Sequence, residues 1–272
     1  MGNNPEFEVD SVLGFLREVE DQKKGYKEDF IFRGQRVDKP LLPRLARPPA
    51  PQGKKLLSLE RLVFKEFKRT CPSLTELTLA KDWDFLSIAQ HHKLPTRLLD
   101  WTYSALAALW FAVEMDPEKE NGKLLNGVVW LLKTVKEDFI DENDRGTPFQ
   151  NGVTRIYRPR VISRRIAAQG GLFTVHRVQK REGKSFVPLE SIGHFSGRRV
   201  KFVIEPKAFE NLREQLHSCG VNRSSLFPDL DGLCTHLDWR YFKRGTLGWR
   251  DNVAACLVGR QTPSKGRGGV RR

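Results

Sequence analysis

Three separated groups of polar side chains interrupt stretches that are otherwise apolar. Arg33 follows Phe30-Ile31-Phe32; Thr96, Arg97, Asp100, Thr102 and Ser104 lie inside DFLSIAQHHKLPTRLLDWTYSALAALWFAVE (84–114); and Gln169 stands before Gly170-Gly171-Leu172-Phe173. A guanidinium fork suits a carboxylate and a phosphate alike, so Arg33 is either half of an ion pair or an anion contact. Buried charges are costly unless paired, so Arg97 and Asp100 either neutralise each other or face a ligand. Taken singly, Asp100 or Thr102 also reads as a helix N-cap. The Gln169 amide suits strand-edge backbone groups or a site. His92 falls on the apolar spacing of its helix and is a candidate general base, which with Asp100 would make a hydrolase pair.

The elements that must carry these groups follow from periodicity. Phe85, Leu86, Ile88, Ala89 and His92 keep helical spacing until Pro95, and a second helix, apolar on every face and therefore buried, starts near Thr102 to Ser104. Residues 7–20 predict an amphipathic opening helix capped by Asp10 or Ser11. Phe30-Ile31-Phe32 predicts a strand ending at Arg33-Gly34-Gln35. Leu56 to Arg69 predicts a helix with its stripe at Leu59, Leu62, Val63, Glu66 and Phe67. VVWLL (128–132), GGLFTVHRV (170–178) and VKFVIEP (200–206) predict strands, with a short helix near 135–140. Further helices are expected over 209–219, closed by Gly220, and after FPDLDG (227–232). Helices and strands mix without a fixed period, which points to an α+β fold, a mixed sheet with flanking helices, in a single domain.

Composition bounds the partners. The 272 residues are 39% hydrophobic, enough for a real core, and the net charge is +14. Such an excess favours polyanions, nucleic acid above all. It concentrates in Arg155, Arg158, Arg160, Arg164, Arg165, Arg177, Lys180, Arg181 and Lys184, and in a tail with Arg260, Lys265, Arg267, Arg271 and Arg272 that reads as a disordered basic arm. A solvated surface is the bland alternative for any one of these runs. No apolar run is long enough to span a membrane and the N-terminus lacks a signal-peptide pattern, so a cytoplasmic protein without membrane partners is expected. Cys71, Cys219, Cys234 and Cys256, with the six histidines, have no metal-ligand spacing, and no Walker loop is present.

FRGQ (32–35), AQHHKLPTRLLDWTYSALAALWFA (89–112), RIAAQGGLFTVH (165–176) and LFPDLDGL (226–233) resemble the FRG-domain family, over roughly Phe30 to Leu237. Set beside the opening helix and the basic tail, the resemblance divides the chain into an N-terminal helix at 1–24, an FRG domain at 25–245 and a C-terminal segment at 246–272 ending in the basic tail. It also implies a bacterial or phage setting, in phage defence or a toxin system, with any antitoxin or protein partner unknown. The order of elements is more distantly similar to arginine-class ADP-ribosyltransferases. By that similarity Arg33, Gly34, Arg97 and Thr102 would bind NAD, and Arg33, Asp100, Thr102, Ser104 and Gln169 would serve catalysis. Gln169 stands where that class has a glutamate, and Asp100 is the carboxylate that would replace it. The rival is a non-catalytic nucleic-acid-binding module.

Overall fold

The computed structural model describes residues 5–51, 53–77, 79–141, 146–150, 152–160, 168–178 and 186–244. Arg164, Arg165, Lys180, Arg181, Lys184, Cys256 and the basic tail lie outside the described residues. The fold is α+β, as expected. Among the described residues, seven strands form one mixed sheet in the order β1-β9-β6-β2-β3-β8-β7, and β4 (Lys119–Glu120) with β5 (Lys123–Leu124) forms a small hairpin. The strands are β1 (Glu6–Glu8), β2 (Phe30–Gln35), β3 (Leu98–Thr102), β6 (Gly127–Lys133), β7 (Arg155–Tyr157), β8 (Gly171–Val175) and β9 (Arg199–Ile204). Only β1 runs parallel to its neighbour, β9.

Alternation along the strands assigns the two faces. Phe30, Phe32, Val129, Leu131, Val200 and Phe202 pack with α1 (Val12–Lys23), α4 (Ala105–Val113) and α5 (Phe209–Ser218). Ile31, Leu99, Trp101, Val128, Trp130 and Leu132 pack instead under Leu41, Leu189, Ile192 and Phe195. A third cluster joins α2 (Gly53–Thr70) and α3 (Asp82–His91) to Leu98, Phe173, Val175 and Tyr157. The chain ends its described part with two short helices, α6 (Arg223–Leu226) and α7 (Leu230–Asp238).

Three expectations are corrected. Phe7 belongs to a strand, because pairing with β9 at Phe202 outweighs the helical spacing, and α1 begins after its Ser11 cap. The stretch between α3 and α4 is strand β3 rather than a connection, and the cap of α4 is Ser104, whose Oγ accepts from Ala107 N at 3.1 Å; neither Asp100 nor Thr102 caps it. The buried face of α2 is Leu56, Glu60 and Phe64, while Leu59 and Leu62 are exposed. The reason for the last is an ion pair described below.

Candidate functional site

The site begins with a discontinuity in the sheet. β2 pairs with β6 at six successive positions but with β3 at one, Phe32 to Thr102. Beyond that pair β2 and β3 part, and a cleft of about 560 Å³ opens between them. Gly34 sets its depth on the helix side. A Cβ at Gly34 would lie 1.8 Å from the carbonyl oxygen of Ala108, so α4 rests directly on the strand backbone. The glycine of this motif is thus a packing requirement, although it also lines the cleft.

Arg33, Asp100, Thr102 and Gln169 all line this one cleft. Arg33 crosses the parted strands, its Nη1 donating to the Asp100 carbonyl at 2.7 Å and lying 3.8 Å from the Asp100 carboxylate. Its side chain is 14% exposed and its buried Nε has no hydrogen-bond partner among the described residues. Burial holds the guanidinium down to about 10, against the opposing pull of Asp100, so it stays charged at neutral pH. Asp100 is held in turn: Gln90 Nε2 donates to Oδ2 at 2.9 Å, and Thr96 Oγ1 donates to Gln90 Oε1 at 2.7 Å. The carboxylate is nevertheless 59% exposed and open to the cleft.

The hydroxyls are committed to structure. Thr102 Oγ1 donates to the Gln169 carbonyl at 2.5 Å and accepts from Ser104 N at 2.9 Å, tying the end of β3 to the turn before β8. Ser104 caps α4 and is not part of the cleft wall. The Gln169 amide donates to the Leu226 carbonyl at 3.0 Å, so Asp100 presents the freer acceptor to the cleft.

Arg97 is corrected outright. It neither pairs with Asp100 nor reaches the cleft; its Nε and Nη2 grip the two Glu60 oxygens at 2.7 and 2.5 Å, between the rings of Phe149 and Phe186. Both side chains are almost fully buried, which explains why an acidic residue occupies the inner face of α2. His92 is the exposed residue after α3 and does not line the cleft; its neighbour His91 does. A hydrolase pairing Asp100 with His92 therefore has no support in this geometry.

His176 reads in the sequence as one more strand residue, with no signal of its own. It is 1% exposed, with Nε2 at 3.4 Å from Thr174 Oγ1, which also accepts from Trp101 Nε1 at 3.1 Å. Burial pushes its pKa down to about 3, with Arg33 and Arg97 adding to the shift. Between that value and the unfolded value near 6.5 only the unfolded chain takes up the proton. Stability should accordingly fall as pH drops through that window. Urea unfolding at pH 7 and pH 5 checks this: His176→Gln should flatten the dependence, and an unchanged slope contradicts it.

Of the basic run, Arg155, Arg158, Arg160 and Arg177 are all exposed, and Arg158 also donates to Tyr103 Oη at 2.8 Å and lies 4.0 Å from the Phe139 ring centre. No helix among the described residues is long and apolar enough to cross a membrane.

Fold and site together define a mixed α/β domain with a cation-rich cleft at the seam of its sheet. Residues 28–121, which carry β2, α2, α3, β3 and α4, match the family model described as FRG domain. No curated protein and no solved structure matches the chain significantly.

Proposed function

We propose that the cleft binds NAD as a substrate and transfers its ADP-ribosyl group to a nucleic acid or another polyanion, in phage defence or a toxin system as the family resemblance implies. The observation that carries this reading is the sharing of one cleft by Arg33, Asp100, Thr102 and Gln169, residues brought together from β2, β3 and the turn before β8. Thr102 and Gln169 shape the cleft while Arg33 and Asp100 present charge to it, and its volume falls within the roughly 300–1,000 Å³ usual for small-molecule sites.

The residues fit the ligand. Arg33, which lines the cleft with its Nη1 held by the Asp100 carbonyl and whose buried Nε has no partner among the described residues, offers a fixed cation for a pyrophosphate. Phe32, Trp101 and Phe111 supply apolar wall for the rings. In the transfer, the glycosidic C1′–N bond breaks and its electron pair leaves with nicotinamide. The acceptor's nucleophile forms the new bond to C1′ and gives up its proton to solvent or to Asp100. Positive charge developing at C1′ is stabilised by the Asp100 carboxylate, which Gln90 keeps in place.

Incubating the pure protein with labelled NAD and RNA, DNA or protein acceptors tests this. Nicotinamide release should vanish in Arg33→Ala and fall by roughly 10²- to 10³-fold in Asp100→Asn, the range seen when one stabilising group is removed. Absence of both turnover and NAD binding would leave the nucleic-acid module as the better reading.

A further inference from the structure

Three more cations line the same cleft and have no role in the scheme above. Arg44 begins the single turn Arg44–Ala46, Arg47 follows it, and Lys93 stands at the corner between α3 and β3. They are built into place. Arg44 Nη1 donates to the Lys93 carbonyl at 2.7 Å and Arg47 Nε to the Leu42 carbonyl at 2.9 Å, so each guanidinium is braced against backbone by one nitrogen. Lys93 has φ +64°, a left-handed conformation that residues other than glycine seldom adopt, and the sharp corner it makes carries its side chain at the rim.

Charge balance then separates these three from the other cations of the cleft. Arg36 Nη2 and Lys39 Nζ are neutralised by Glu118 at 2.5 and 3.4 Å, and Glu114 is taken by Arg223 at 3.0 Å. Among the described residues, no carboxylate lies within ion-pair distance of Arg44, Arg47 or Lys93. Asp100 is the carboxylate that steadies Arg47 at longer range, and it already faces Arg33. Arg44 and Arg33 each push against Arg47 electrostatically. Like charges clustered on one wall without counter-ions repel, and an anion seated between them removes that repulsion while meeting the open N–H groups.

We propose that Arg44, Arg47 and Lys93 form a second phosphate subsite at the rim of the cleft, distinct from the one centred on Arg33. Its ligand is a phosphate group carried either by the nucleotide, on a ribose hydroxyl, or by the backbone of a nucleic-acid acceptor. This inference deepens the reading above and rests on it for the occupant of the Arg33 site.

The test is equilibrium binding of NAD, NADP and a 5′-phosphorylated single-stranded hexanucleotide to the full chain, at several salt concentrations. Lys93→Gln and the double variant Arg44→Gln/Arg47→Gln should weaken NADP or the oligonucleotide by about tenfold or more and lower the salt slope for that probe. NAD affinity should stay within about threefold, since the subsite is not its pyrophosphate contact. Loss confined to NADP identifies the nucleotide as the source, and loss with the oligonucleotide identifies an acceptor strand. The subsite is overturned if neither probe responds, or if NAD is weakened as much as they are. If the wild-type chain fails to bind NAD but holds the oligonucleotide through these three residues, the transferase reading falls and the subsite stands. Because Arg44 and Arg47 also brace backbone, Lys93→Gln decides the matter should the double variant not fold.

Discussion

Gly34→Ala is expected to unfold the protein or to destabilise it by on the order of 4 kcal/mol, a size reached only by exceptional substitutions. The strand backbone at Gly34 is not left-handed, so alanine meets no conformational penalty there; the whole effect is contact. The added methyl would sit 1.8 Å from Ala108 O and 2.9 Å from Ala112 N, both backbone atoms that have no rotamer to change, on residues of α4 that are fully buried. Either α4 lifts off β2, opening the core cluster around Phe32, Ala108 and Leu109, or β2 shifts against β6. Thermal or urea unfolding measures this, and a loss below about 1 kcal/mol contradicts the packing argument. A soluble variant should also have lost the cleft, since Gly34 forms part of its wall.

The second large effect concerns Arg97. Removing one partner of a buried ion pair leaves the other charge uncompensated and costs about 3–5 kcal/mol. Arg97→Ala and Glu60→Ala should each lose stability in that range. Replacing both partners by apolar groups of similar volume is often neutral, so Glu60→Leu/Arg97→Met should recover most of the loss. That double variant should keep wild-type affinity for cleft ligands. If it folds and no longer binds them, Arg97 contacts the ligand after all and the assignment to the core is wrong.

Local pattern revealed the elements whose signal is local. Phe30-Ile31-Phe32, VVWLL and VKFVIEP are strands as expected, and most of the apolar helix at Ala105–Val113 is buried. What escaped depends on partners distant in sequence. Leu98–Thr102 reads as a link between helices because its two faces meet two different clusters and leave no alternation to see. Glu60 looks like a surface residue until Arg97, 37 positions away, is placed against it. Arg44 and Arg47 sit beside a proline-rich loop, where basic residues are ordinarily solvated; only the cleft geometry reveals that carboxylates are missing around them. Arg33, Asp100 and Gln169, by contrast, were recognisable as polar groups out of place, though not their actual bonds: Thr102 and Ser104 look reactive in sequence and are spent on holding β3 and α4.

Calorimetric titration of the full chain with NAD, set beside Arg33→Ala, probes the cleft most directly. A saturable isotherm in the wild type that disappears in Arg33→Ala, while both proteins melt at the same temperature to within a few degrees, is the expected result. A flat wild-type titration, or equal affinity in the variant, contradicts a nucleotide site built on Arg33.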